Sequence, residues 1–142
     1  MINVQVIGVT AQLKQALERD NIQVSFLEDE VQALNTVEET QPAVILLNYN
    51  VRKVETESYI KLLLKMSCAS KIVIVADDEL NDTEILACLM AGAKGYQNTS
   101  QLNDYVVKMV KVIEAGEAWI TRRLVAKLLN ILIDKQSLHI EG

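Results

Sequence analysis

The stretch Gln41-Pro-Ala-Val-Ile-Leu-Leu-Asn-Tyr-Asn50 restricts the fold more than any other part of the chain. Pro42 breaks a helix, and residues 43–47 are apolar without alternation. Such a run predicts a strand buried on both faces, at the centre of a parallel sheet with helices on either side. The run stops at Asn48. In open α/β sheets the ligand crevice lies beyond the carboxyl ends of the strands, where strand order reverses, so Asn48 is expected at the rim of the functional site. An amide neither ionises nor attacks readily, and it offers a metal no negative charge.

The other elements group around this strand. Residues 3–9 alternate, with apolar Val4, Val6 and Ile7, and predict a first strand closed by Gly8. Thr10 is expected to cap a helix that buries Leu13, Ala16 and Leu17. Residues 22–27 alternate again and predict an edge strand, followed by a helix capped by Asp29 with Val31, Leu34 and Val37 inward. After Asn50 and a polar stretch, Tyr59, Leu62, Leu63 and Met66 recur at helical spacing. Lys71-Ile-Val-Ile-Val75 reads as a fourth strand, and an acidic loop over residues 77–82 leads to a helix stopped by Gly92. A short fifth strand at residues 94–97 precedes a helix ended by Gly116, and residues 124–133 predict a sixth helix. Right-handed crossovers then give a doubly wound, five-stranded parallel sheet in the order 2-1-3-4-5, with one helix to spare.

Composition narrows what such a fold could do. The 142 residues suit one domain, assigned here to residues 1–134, with residues 135–142 as a tail or the start of a linker. Half of the residues are hydrophobic, which excludes disorder, yet no apolar run is long enough for a membrane span. No secretory signal is visible after Met1, so a cytoplasmic protein is expected, with Cys68 and Cys88 as reduced core thiols in helical segments. The sole His139 lies near the end, away from both cysteines, leaving no Cys/His nucleophile and no His-based metal site. A net charge of −5 argues against direct nucleic-acid binding by this domain.

Four segments in order, Pro42-Ala-Val-Ile-Leu-Leu-Asn-Tyr-Asn50, Lys71-Ile-Val-Ile-Val75, Ala91-Gly-Ala-Lys-Gly-Tyr96 and Ile113-Glu-Ala-Gly-Glu-Ala-Trp119, carry a resemblance. To about Leu132 the chain resembles the receiver domain of bacterial two-component response regulators, especially the LuxR/NarL-like branch that carries a helix-turn-helix further along. The resemblance implies a flavodoxin-like fold and a regulatory role in transcription. It also implies a phospho-accepting Asp where Asn48 stands, and an acidic pair for Mg²⁺ where Gly8 and Val9 stand. Hydroxyl and Lys partners for the phosphoryl group would sit near Ala76 and Thr99. All are missing. The expectation is a pseudo-receiver with a degenerate pocket at Gly8, Val9, Asn48, Ala76 and Thr99, without Mg²⁺ and without catalytic activity. Asp77 and Asp78, the only acids adjacent to this rim, are expected to start a solvated loop and help cap the helix beginning near Asp82.

The segment Trp119-Ile-Thr-Arg122 resembles the W-x-T-R entrance to the sixth helix in unphosphorylated LuxR-type biofilm regulators that bind cyclic di-GMP as dimers. That resemblance implies a nucleotide site at Trp119, Thr121 and Arg122, with the planar Arg122 guanidinium stacking on guanine and meeting phosphate. The plainer alternative has Trp119 packing the helix down, Thr121 as its N-cap, and Arg122 and Arg123 solvated. The sixth helix carries more apolar residues than one core-facing stripe needs, which predicts a homodimer interface at Leu124, Leu128 and Leu132 or a surface for a further domain. A DNA-binding output domain in a longer chain is the expected partner. An enzyme on the same fold and a stand-alone adaptor are the competing classes, but there is no Gly-rich phosphate loop and the switch point carries an amide.

Overall fold

A computed structural model describes residues 2–8, 17 and 21–141. Strands β1 (Ile2–Ile7), β2 (Ile22–Leu27), β3 (Val44–Asn48), β4 (Lys71–Ala76) and β5 (Gly95–Asn98) form one sheet in the order β2-β1-β3-β4-β5. Every pairing is parallel. The described helices are α1 (Glu30–Thr40), α2 (Thr56–Met66), α3 (Asp82–Ala91), α4 (Leu102–Glu114) and α5 (Arg122–Glu141). The helix expected after Thr10 lies outside the described residues except for Leu17, which is helical and fully buried. This is the doubly wound, flavodoxin-like arrangement expected from the sequence.

The pleat of β3 divides the core in two. Ile45 and Leu47 face a cluster built with α1, α2 and α3, and Leu124 of α5 joins it. Val44 and Leu46 face the opposite cluster, which holds Leu17, Leu102, Val106, Met109, Val110 and Ile113. All four of these β3 residues have no solvent exposure. That double burial is why the strand reads as an unbroken apolar run rather than an alternating one.

Local signals set the helix starts. Asp29 accepts hydrogen bonds from the Val31 and Gln32 amides, both at 2.9 Å, and so caps α1. The cap of α3 is Asn81, not an aspartate of the preceding loop. Its side chain accepts from the Glu84 amide at 2.8 Å while the Glu84 carboxylate accepts from the Asn81 amide at 3.1 Å. The polar stretch after Asn50 closes into two short 3-10 turns, Tyr49–Val51 and Lys53–Glu55.

Three details differ from the sequence reading. Val31 is 67% exposed, because α1 turns Ala33 and Val37, one helical turn apart, toward the sheet. Cys68 is exposed in the turn after α2, whereas Cys88 is buried in α3. The Cys88 thiol is pushed up to about 12 by burial and by Glu57 and Glu84, which makes it a core group rather than a nucleophile. The last helix begins at Arg122 and continues to Glu141, past the expected end at Ile133.

The segment before α5 closes one edge of the sheet. Trp119 donates its amide to the Lys94 carbonyl at 3.0 Å, and its carbonyl accepts the Tyr96 amide at 3.1 Å. This brings the Trp119 backbone against Gly95, where an added Cβ would lie 2.7 Å from the Trp119 carbonyl oxygen. Only glycine leaves room for that approach. The edge is thereby paired, and the start of α5 is placed beside the carboxyl ends of the strands.

Candidate functional site

Asn48 ends β3 opposite Val75 of β4, at the carboxyl rim where strand order reverses between β1 and β3. It is 6% exposed, and its Oδ1 accepts the Asn50 amide at 2.9 Å. The amide side chain is therefore spent on folding its own loop into the turn that follows. Tyr49 reaches the other way, donating its hydroxyl to Glu84 Oε2 at 3.2 Å. Burial and the neighbouring Glu84 carboxylate push that phenol up to about 12.

Gly8 follows β1 with φ at +79°, and an added Cβ would meet Val51 Cγ2 at 2.1 Å and Asn48 Cβ at 3.1 Å. The loop after β3 therefore lays the Val51 methyl over the spot where any side chain at position 8 would emerge. Val9 lies outside the described residues. Ala76 is fully buried at the end of β4, opposite Asn98, and brings no hydroxyl to the rim. Thr99 is half-buried at the end of β5, and its hydroxyl donates to Asp77 Oδ1 at 2.9 Å. Asn50 Nδ2 donates to Asp77 Oδ2 at 3.0 Å.

Gly8 and Asn48 thus adjoin directly, and Thr99 joins them through Asp77 and Asn50. Asn50 and Val51 were not singled out from the sequence, and Asp77, noted there as an acid beside the rim, was expected to lie in a solvated loop. The available signal for Asp77 was its place one residue past β4 at the carboxyl edge. Among the described residues, no group of three His, Cys, Asp or Glu side chains is placed to hold a metal ion. Asp77, the carboxylate that joins this network, is engaged by two donors from opposite sides. The rim is suited to hydrogen bonding between loops, and it lacks the carboxylate pair that chelation of a hard cation favours.

The second candidate region surrounds the start of α5. Half-buried Trp119 packs on the core and donates its indole N–H to Gln97 Oε1 at 3.0 Å. Thr121 Oγ1 accepts the Leu124 amide at 3.3 Å, as an N-cap does, and the exposed Arg122 opens the helix. Arg123 is not free: Arg123 and Lys127, one helical turn apart, both pair with Asp82 at the start of α3. A groove of about 490 Å³ lies beside Trp119 and Thr121, with Tyr96, Gln97 and Gln101 on its walls. A second groove of about 370 Å³ shares Tyr96, Gln101 and Thr121 and extends to Asp82 and Arg123.

The apolar surplus of α5 splits into two stripes. Leu124 is 2% exposed and Leu128 and Ile131 pack behind it on the domain's own core. Val125, Leu129, Leu132 and Ile133 face solvent, at 38%, 53%, 49% and 56% exposure. Of the residues expected at an interface, Leu132 is on the free stripe and Leu124 is committed inward.

No protein-family model and no curated protein matches the sequence. Solved structures do match. The isolated REC domain of RcsB from Salmonella enterica serovar Typhimurium, in the apo form, superposes with a TM-score of 0.78 at 15% identity, covering 92% of this chain and 99% of that one. A LuxR-family two-component response regulator from Aurantimonas gives 0.74 at 15% identity, covering 92% and 97%. A LuxR-family DNA-binding response regulator from Silicibacter pomeroyi gives 0.73 at 21% identity, covering 87% and 99%. The chain has the receiver fold. At these identities the likeness is one of fold.

The ion cluster at the start of α5 has a pH signature. Hydrogen bonds from Lys127 and Arg123 hold the Asp82 carboxyl below the usual carboxylate range. A carboxylate whose folded value is depressed stabilises the fold above its unfolded value, and that contribution is lost as pH falls through the folded one. The first turn of α5 is therefore expected to exchange its amides faster, relative to the intrinsic rate, in that acid window. Asp82→Asn should do the same at neutral pH, read by hydrogen exchange; unchanged protection in both cases would show that α5 is held by its apolar face alone.

Proposed function

We propose that this chain is an atypical receiver domain that regulates an output without phosphorylation, as a cytoplasmic module with no catalysis of its own. The observation that carries the reading is the rim itself, where Asn48 folds its own loop and Val51 covers Gly8. Position 48, where the resemblance implies the accepting carboxylate, carries an amide, and position 8, where it implies a carboxylate for the cation, carries glycine. Incubation with acetyl phosphate, or with beryllofluoride, in the presence of Mg²⁺ is expected to leave the intact mass and the fluorine NMR spectrum unchanged. A stoichiometric, acid-labile adduct would overturn the reading.

The output is proposed to be DNA-binding and carried further along the chain. One similar structure, RcsB from Salmonella typhimurium, concerns conformational dynamism for DNA interaction, and this chain covers 69% of it. Self-association through the free stripe of α5 would couple two such outputs. Burying one Leu side chain contributes about 1.5–3 kcal/mol, enough to decide a weak dimer. Sedimentation should find a dimer that Leu129→Glu or Leu132→Glu dissociates without loss of helical content. A wild type that stays monomeric at high concentration would assign the stripe to another partner.

A second reading is favoured by the groove beside Trp119 and Thr121, with Arg122 free in solvent next to it. Cyclic di-GMP is the proposed ligand, stacked on Arg122 and shared across the dimer, so that binding and association strengthen each other. Titration calorimetry should show heat that Arg122→Ala abolishes. No heat at ligand concentrations in the tens of micromolar, about −6 kcal/mol or weaker, would remove nucleotide sensing from the reading.

A further inference from the structure

Asp77 stands one residue beyond β4, between the loops that follow β3 and β5. Its two carboxylate oxygens are divided between them: Oδ2 accepts from Asn50 Nδ2 at 3.0 Å, and Oδ1 accepts from the Thr99 hydroxyl at 2.9 Å. Each donor sits in, or opens, a turn that is itself hydrogen-bonded. Asn50 is held by Asn48 Oδ1, and the turn Thr99–Gln101 is held by Asn98 Oδ1, which accepts the Ser100 amide at 2.9 Å. That turn runs directly into α4, whose first residue, Leu102, is buried and donates its amide to the Thr99 carbonyl. One carboxylate therefore joins the end of the central strand to the start of a helix on the far side of the sheet.

We infer that Asp77 is an anionic latch at the surface that holds the loops after β3 and β5 in one arrangement, so that its release repositions the start of α4. The inference rests on the reading that no phosphoryl group enters this rim, and it names what holds the loops instead. Two acceptor oxygens are required. An amide at position 77 would keep one acceptor and set an N–H₂ against the other donor, so Asp77→Asn breaks the bridge on one side. The donor pair Asn50 and Thr99 communicates through this carboxylate.

The test is hydrogen exchange followed by NMR on the whole chain, with neither phosphodonor nor Mg²⁺ present, so that it is independent of the adduct experiment. Asn50→Ala is expected to speed exchange of the Ser100 and Leu102 amides about threefold or more, and Thr99→Val to do the same at Asn50. In an Asp77→Ala background both cross-effects should vanish, because the connection has already been cut. Asp78→Ala, at the exposed neighbouring carboxylate, should change nothing at these amides. Thermal melts of each variant establish that the fold is retained; a variant that unfolds is replaced by Thr99→Ser, which keeps the hydroxyl and should preserve wild-type exchange. Cross-effects that are absent in the wild-type background, or that survive removal of Asp77, overturn the latch. An adduct in the separate phosphodonor experiment would instead overturn the reading on which it rests.

Discussion

The burial of β3 on both faces governs the rest of the molecule. Val44, Ile45, Leu46 and Leu47 are wholly removed from water, and a strand in that state needs a neighbour on each edge and a helical layer on each side. The layers differ in composition. One holds α1, α2 and α3, and the other holds α4 with Leu17. Since β3 must also stop somewhere, its first polar residue is pinned at the carboxyl rim. The site is thus a consequence of core packing: Asn48 is the first polar residue after the buried apolar run of β3.

What occupies that rim follows from the same economy of space. With glycine at position 8, the loop after β3 settles until Val51 covers it, and an apolar methyl fills the ground above β1. With alanine at position 76, no hydroxyl reaches the rim from β4. The polar groups that remain satisfy one another. Asn48 serves Asn50, Asn50 serves Asp77, and Thr99 serves Asp77 from the opposite loop.

Much of this was legible in the sequence, and the part that was not has a physical cause. The two-faced run before Asn48, the Asp29 cap and the glycines after α3 and α4 are local signals, readable because each acts within a few residues. Asp77 was not readable as a bridge. Its partners are 27 and 22 residues away, and their meeting depends on how the loops of β3 and β5 converge. From composition alone an aspartate beside another aspartate looks like a solvated loop. Val51 was hidden for the same reason, since its contact with Gly8 exists only once β1 and β3 are adjacent. The surplus of leucine and isoleucine in α5 was visible, but periodicity cannot say which of two apolar stripes turns inward.

The structure resolves that ambiguity through Leu124, and the consequence reaches beyond packing. With Leu124, Leu128 and Ile131 inward, the rotation of α5 is set, and Arg123 and Lys127 are brought to Asp82. Exposed ion pairs are individually weak, but two on one carboxylate favour a single azimuth for the helix. The same azimuth leaves Val125, Leu129, Leu132 and Ile133 outward as one patch. Since the helix continues to Glu141, that patch lies on an element extending well past its anchored first turns. The paired edge at Trp119 fixes where α5 starts, the Asp82 cluster biases which way it faces, and the outer apolar stripe is left in solvent. Rim and helix both adjoin β5: Thr99 follows its end and reaches Asp77, and Trp119 pairs with its edge.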